Sequence, residues 1–220
     1  MSKMIKYQGN TVKLDDMISV TESFFKLMDK RRSVRFFSDK SVPKNVIENI
    51  IKTASTAPSG AHKQPWTFCV VSNSSIKSKI REAAEKEEYI NYNGRMSEDW
   101  LEDLKVFDTD WHKEFLEVAP YLIIVFKKSF DLDENDKKSK NYYVNESVGI
   151  ACGILITAIH KAGLVTLTHT PSPMNFLQKI LDRPENERPF LLLPVGYPAN
   201  GVEVPDLKRK EIDEISVWFD

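Results

Sequence analysis

The sequence predicts an α+β fold, a small mixed sheet surrounded by helices, on three observations. Helical apolar stripes alternate with four short apolar runs of strand character along the chain. At 220 residues, with 41% hydrophobic and 29% charged side chains, the chain suits one generous domain (1–220) and neither a coiled coil nor a disordered chain. The N-terminus shows neither a spanning segment nor the apolar stretch of a signal peptide, so a soluble cytoplasmic protein is expected, with no membrane association.

Taken in order, Ser19 and Glu22 have capping-box spacing ahead of Phe24, Phe25 and Leu27, which predicts a first helix running to about Lys30. Ser41-Val42-Pro43 opens a second, with Val46, Ile47, Ile50 and Ile51 on one face and Pro58 beyond its end. A polar loop, Ser59 to Gln64, leads to a strand from Trp66 to Val71. Ile76, Ile80, Ala83 and Ala84 mark a helix to about Ile90, with a break near Asn93-Gly94. From Ser97 to Val118, Trp100, Leu101, Leu104, Phe107, Trp111 and Phe115 recur at helical steps in a charged surround. Tyr121–Phe126 reads as a buried strand, and the charged run Lys127 to Lys140 as a solvated loop. A central helix over 145–161 carries Gly149 and Gly153 at GxxxG spacing, which predicts a close helix–helix contact. A strand over 164–168, a short helix around Leu177 and a buried strand over 191–196 follow. The tail from Pro198 has few core residues before Ile215, Val217 and Trp218, as an extension packing on a partner subunit does.

Charge excludes one class of function. With 31 basic and 32 acidic side chains the formal net charge is −1, so no nucleic-acid footprint is evident. Cys69 and Cys152 sit in apolar runs and read as small core residues, and no histidine spacing supports a metal site. The cluster Arg31-Arg32-Ser33-Val34-Arg35 is either a solvated basic patch or a set of guanidinium forks for a phosphate, and Lys208-Arg209-Lys210 is equally ambiguous. No P-loop or Rossmann glycine pattern is present.

The string RRSVR, then the helix opened by Pro43, then APSGAHKQPWTF (57–68) resembles the N-terminal half of the FMN-dependent nitroreductase superfamily, and more narrowly the iodotyrosine deiodinases. The likeness continues through EEYINY (87–92), VGIACG (148–153), AGLVT (162–166), LLPVGYP (192–198) and VPDLKRK (204–210), about residues 20 to 213 in all.

That resemblance implies a nitroreductase-like, domain-entwined homodimer with two FMN sites, each built from both subunits, and a C-terminal extension (198–220) lying on the partner. Carried over by position, Arg31, Arg32, Ser33, Val34, Arg35, Ser59, Thr168, His169, Thr170 and Arg209 would bind FMN. Thr170 would be catalytic, its hydroxyl donating to flavin N5 and favouring one-electron steps, whereas the contact made by His169 is left open. Glu88, Tyr92 and Lys113 would meet an amino-acid zwitterion from a lid over about 86–118, and the Ala61 N–H would meet a phenolate. The implied activity is reductive dehalogenation of 3-iodotyrosine and 3,5-diiodotyrosine to tyrosine and iodide. NAD(P)H would supply the electrons directly or through a separate reductase, and a broad nitroreductase or flavin reductase is the alternative.

Overall fold

The structure is a computed structural model that describes residues 3–135 and 137–219, so Met1, Ser2, Asp136 and Asp220 lie outside the description. The chain divides into two units, Met1–Arg31 and Arg32–Asp220.

The first unit holds one helix, α1 (Leu14–Asp29), which starts five residues before the predicted cap. Asp15 and Asp16 supply the negative charge that a helix start favours, and Ser19 lies inside the helix with its hydroxyl donating to the Asp16 carbonyl at 2.9 Å.

The second unit is built on a four-stranded sheet of β1 (Trp66–Val71), β2 (Tyr121–Lys128), β6 (Glu187–Gly196) and β5 (Val165–Thr166), side by side in that order. Every ladder in it is antiparallel, and the parallel element that makes the sheet mixed is the bridge between Ser33 and Thr166. Strand alternation sends successive side chains of β2 to opposite faces. Ile123 and Val125 pack with α2 (Lys44–Ala54) and α6 (Val144–Lys161), whereas Leu122, Ile124 and Phe126 pack with α3 (Ser74–Ile90), α5 (Phe115–Val118) and α7 (Asn175–Ile180). The sheet thus separates two apolar cores, each roofed by helices, as the predicted class requires.

Four local expectations change. The predicted helix over 97–118 is two helices, α4 (Glu98–Lys105) and α5, because the chain turns between them: Asp108 is left-handed at φ 43°, and the Asp110 carboxylate takes the His112 N–H at 2.8 Å. The charged run contains an exposed hairpin, β3 (Phe130–Leu132) and β4 (Lys138–Lys140). The strand expected over 164–168 is only β5, after which His169 rejoins β6 through two backbone hydrogen bonds with Leu192, 2.9 and 3.2 Å long. Finally, a Cβ on Gly149 or Gly153 of α6 would meet nothing within 4 Å, so among the described residues no helix makes the predicted close contact. Beyond β6 the tail starts half-buried over 197–199 and is then largely exposed, with one helical turn, α8 (Ile212–Ile215).

Candidate functional site

Helix α3 carries its core stripe into the site. The Asn73 side chain accepts from the Ile76 N–H at 3.0 Å and starts the helix, and Ile80 and Ala84 are fully buried. Glu88 is the next residue at four-residue spacing, so the stripe that packs α3 also buries a carboxylate, and Tyr92 follows in the looser turn Asn91–Arg95. That turn is tied down by buried Asn91, whose amide donates to the Ser172 carbonyl at 3.1 Å.

The opposing wall comes from the segment before α5. Lys77 anchors this region to α3 by donating to the carbonyls of Glu117 (2.6 Å) and Ala119 (2.8 Å). The Lys113 N–H donates to the Glu85 carboxylate at 2.7 Å, and Arg81 bridges Glu85 and Glu117. Lys113 is thereby held facing Glu88, its ammonium 3.6 Å from the carboxylate, 3.5 Å from the Thr109 hydroxyl and 5.4 Å from the centre of the Tyr92 ring, while donating to the Asp110 carbonyl. The Tyr92 hydroxyl donates to the Thr109 carbonyl at 3.3 Å.

Both charges of this pair are nearly inaccessible, with 5% of the Lys113 side chain and 9% of the Glu88 side chain exposed. Burial pushes the Glu88 carboxyl up and the Lys113 ammonium down, and their mutual attraction offsets only part of each shift. Burial, and then the nearby Glu88 charge, also raise the Tyr92 phenol.

The third wall is the segment after β5. Thr168 and Thr170 are exposed and His169 between them is buried, the alternation of extended chain. His169 sits edge-on to Phe115, 5.4 Å between ring centres. Burial, then the charges of Lys113 and Arg35, push its imidazole down to about 3. The bridge from Ser33 to Thr166, with the Val34 N–H donating to the Thr166 carbonyl at 3.3 Å, lays the arginine-rich segment alongside this one.

Arg35, Glu88, Tyr92, Lys113, Thr168, His169 and Thr170 therefore line one cavity. Ser59 and Ala61 do not line it; they lie on the loop before β1, where Ala61, His62 and Gln64 all have positive φ (50°, 56° and 48°). The Ser59 hydroxyl accepts from the Gln64 N–H at 2.9 Å across that loop, and Gly60 is wedged so close to Tyr142 that a Cβ would lie 2.9 Å from its carbonyl oxygen. Arg209 is exposed on the tail and Arg31 closes the first unit; neither lines the cavity. The sequence reading put Trp100 and Leu104 on an apolar helical stripe inside the expected lid but named neither of them, nor Met96, as lining the site; their four-residue spacing was the available signal. It also missed Glu85 and Thr109, which act on Lys113 and carry no signal of their own.

Among the described residues no helix is long and apolar enough to cross a membrane, and no cluster of His, Cys, Asp and Glu could hold a metal ion.

The nitroreductase family profile matches residues 28–197. Iodotyrosine deiodinase of Haliscomenobacter hydrossis is 66% identical over 215 residues, 98% of this chain and 97% of that one. Iodotyrosine deiodinase 1 of Homo sapiens is 49% identical, covering 97% of this chain and 74% of the human protein. A crystal structure of oxidised iodotyrosine deiodinase bound to FMN and 3-iodo-L-tyrosine superimposes with a TM-score of 0.76 at 31% identity, over 90% of this chain and 98% of that one. A fold of this class, a cavity with a buried Glu88–Lys113 pair and likeness along nearly the whole chain agree: the chain belongs to the nitroreductase family, among the iodotyrosine deiodinases.

Proposed function

We propose that the chain is an FMN-dependent dehalogenase that converts 3-iodotyrosine and 3,5-diiodotyrosine to tyrosine and iodide. The observation that carries the reading is the buried Glu88–Lys113 pair facing Tyr92 and the Thr168–Thr170 wall. Two opposite charges held out of water cost several kcal/mol each, and a zwitterion inserted between them gives each a closer partner. Its ammonium goes to Glu88, its carboxylate to Lys113 and its aromatic ring under the apolar roof of Met96, Trp100 and Leu104.

The residues present fit FMN, because the Arg32–Arg35 segment lies beside the exposed hydroxyls of Thr168 and Thr170 through the bridge from Ser33 to Thr166. When bound, FMN supplies the reducing electrons. In this reading Arg31, Arg32 and Arg209 hold its phosphate, Ser33, Val34, Arg35, Thr168 and His169 line its ring and side chain, and the Thr170 hydroxyl donates a hydrogen bond at N5. Ser59 and Ala61 lie away from the cavity of their own chain, which supports a homodimer in which each site takes its phenolate donor, the Ala61 N–H, from the second copy. An ortho halogen makes the phenol more acidic, so more of it is present as the phenolate that this donor stabilises. NAD(P)H, directly or through a separate reductase, is the proposed source of electrons. Both cysteines are free thiols, in keeping with a reducing cytoplasm.

The test is anaerobic iodide release from 3,5-diiodotyrosine by FMN-loaded protein with dithionite as reductant, beside a nitroaromatic control. Iodide released over many turnovers supports the reading. Nitro reduction without iodide release would replace it with a general nitroreductase.

A further inference from the structure

His169 has a polar need that this structure leaves unmet, and it shares one cavity with Lys113, whose own contacts are partly long. The His169 Nε2 is buried with no hydrogen-bond partner, in a residue only 6% exposed. An orphaned ring nitrogen forfeits a hydrogen bond without recovering water, so its persistence in a packed wall points to a partner that arrives with the ligand. The Lys113 ammonium has three donors. One is spent on the Asp110 carbonyl, while its contacts with Thr109 and Glu88, at 3.5 and 3.6 Å, lie beyond the usual range for N–H···O hydrogen bonds.

The charged groups that act on His169 are Lys113, from the segment before α5, and Arg35, from the segment beside β5, both cationic and both lining the same cavity. Burial first, and then these two cationic groups, keep the ring neutral, and an Nε2 that is to accept a hydrogen bond leaves the ring proton on Nδ1. A neutral ring of this kind is a poor proton donor and a good acceptor for an ammonium.

We propose that His169 is a positioning residue for Lys113: once a zwitterionic ligand has drawn Glu88 away, its Nε2 accepts a hydrogen bond from the Lys113 ammonium and aims another N–H of that ammonium at the ligand carboxylate. The proposal rests on the reading of Lys113 as the carboxylate partner. It assigns His169 a task in recognition that does not depend on contact with the flavin.

The experiment measures binding of 3-iodotyrosine and of 2-iodophenol, which lacks both charged groups, to FMN-loaded wild type, His169→Leu, His169→Gln, Lys113→Gln and the double variant Lys113→Gln/His169→Leu. Loss of a hydrogen bond to a charged group predicts that His169→Leu weakens 3-iodotyrosine about tenfold or more and leaves 2-iodophenol within about twofold. His169→Gln, which keeps an acceptor, recovers most of the affinity, and the double variant binds no worse than Lys113→Gln. Equal weakening of both ligands, additive losses, or unchanged affinity in His169→Leu overturns the proposal. If His169→Leu is silent while Lys113→Gln loses 3-iodotyrosine, only the role of His169 falls; if Lys113→Gln is silent, the reading of the site falls with it. On the wild-type holoenzyme, independent of any variant, nitrogen-15 NMR should find the ring protonated at Nδ1 and the Nε2 resonance moving when 3-iodotyrosine binds. A proton on Nε2, or no movement, likewise overturns it.

Discussion

His169 is neutral in the folded chain, and its effect on stability has a definite sign. Its imidazole titrates at about 3 when folded, against 6.5 when free, so below about pH 6.5 the unfolded chain binds a proton that the folded chain does not. The stability due to the neutral ring is complete above 6.5 and drains away as pH falls toward 3. Between pH 7 and 4.5 the wild type should therefore lose about 2 kcal/mol more unfolding free energy than His169→Gln, read from urea midpoints. Equal losses would show that the ring is not buried as described. For the charged pair, Glu88→Gln should weaken 3-iodotyrosine binding about tenfold or more while FMN stays bound, because it strands a buried ammonium. Retained affinity would remove Glu88 from the site. Thr170→Ala should depress iodide release while leaving nitro reduction and FMN binding intact, and equal loss of both activities would deny Thr170 a selective role. At this scale the family resemblance singled out Glu88, Tyr92 and Lys113, and the fold brings the three to one cavity. The sequence was silent where function runs through a neighbour, as with Glu85, because an acidic residue on a helix looks the same whether it meets water or a backbone N–H.

Secondary elements were legible wherever one period ran without interruption. The strand β1 spans Trp66–Val71 as read, since an apolar run between Pro65 and Asn73 leaves little choice. The helix expected over 97–118 failed because its apolar spacing persists through a turn: Phe107 and Trp111 lie in the connection between α4 and α5, only Phe115 belongs to α5, and Asp110 bonds to the backbone locally. That turn is held to α3 through Glu85. Glu85→Ala should accelerate amide hydrogen exchange over 109–113 and raise the KM for diiodotyrosine more than it lowers kcat; unchanged exchange would deny the tie. The end of β6 is a second rigid point. A Cβ on Gly196 would lie 2.5 Å from Cδ of Pro120, so Gly196→Ala should cost about 1–3 kcal/mol, seen as a lowered thermal midpoint, whereas an unchanged midpoint would mean that the proline ring gives way.

For the molecule as a whole, the sequence reading reached the fold class and the family and expected the tail over 198–220 to lie on a partner subunit, but it expected Gly149 and Gly153 to meet a helix. Gly149 and Gly153 were legible as a contact motif, yet their face of α6 is open in the single chain, as are Ile215, Val217 and Trp218 of the tail at 65%, 79% and 77% exposure. A homodimer would cover such apolar surface. The chain should therefore sediment as a dimer, and Gly153→Arg should shift it toward monomer with loss of iodide release; a fully active monomer would sink the shared-site reading. The two charges that would recognise an amino acid are bolted to the frame, Glu88 by the core stripe of α3 and Lys113 by Glu85, whereas Met96, Trp100 and Leu104 hang between the turn at Asn91–Arg95 and the bend at Asp108, in a stretch where α4 buries no residue. The covering and the charge clamp are thus separate parts. A protease nick in α4 would leave an enzyme that still sorts amino acids from simple phenols by their charges but no longer shuts water out.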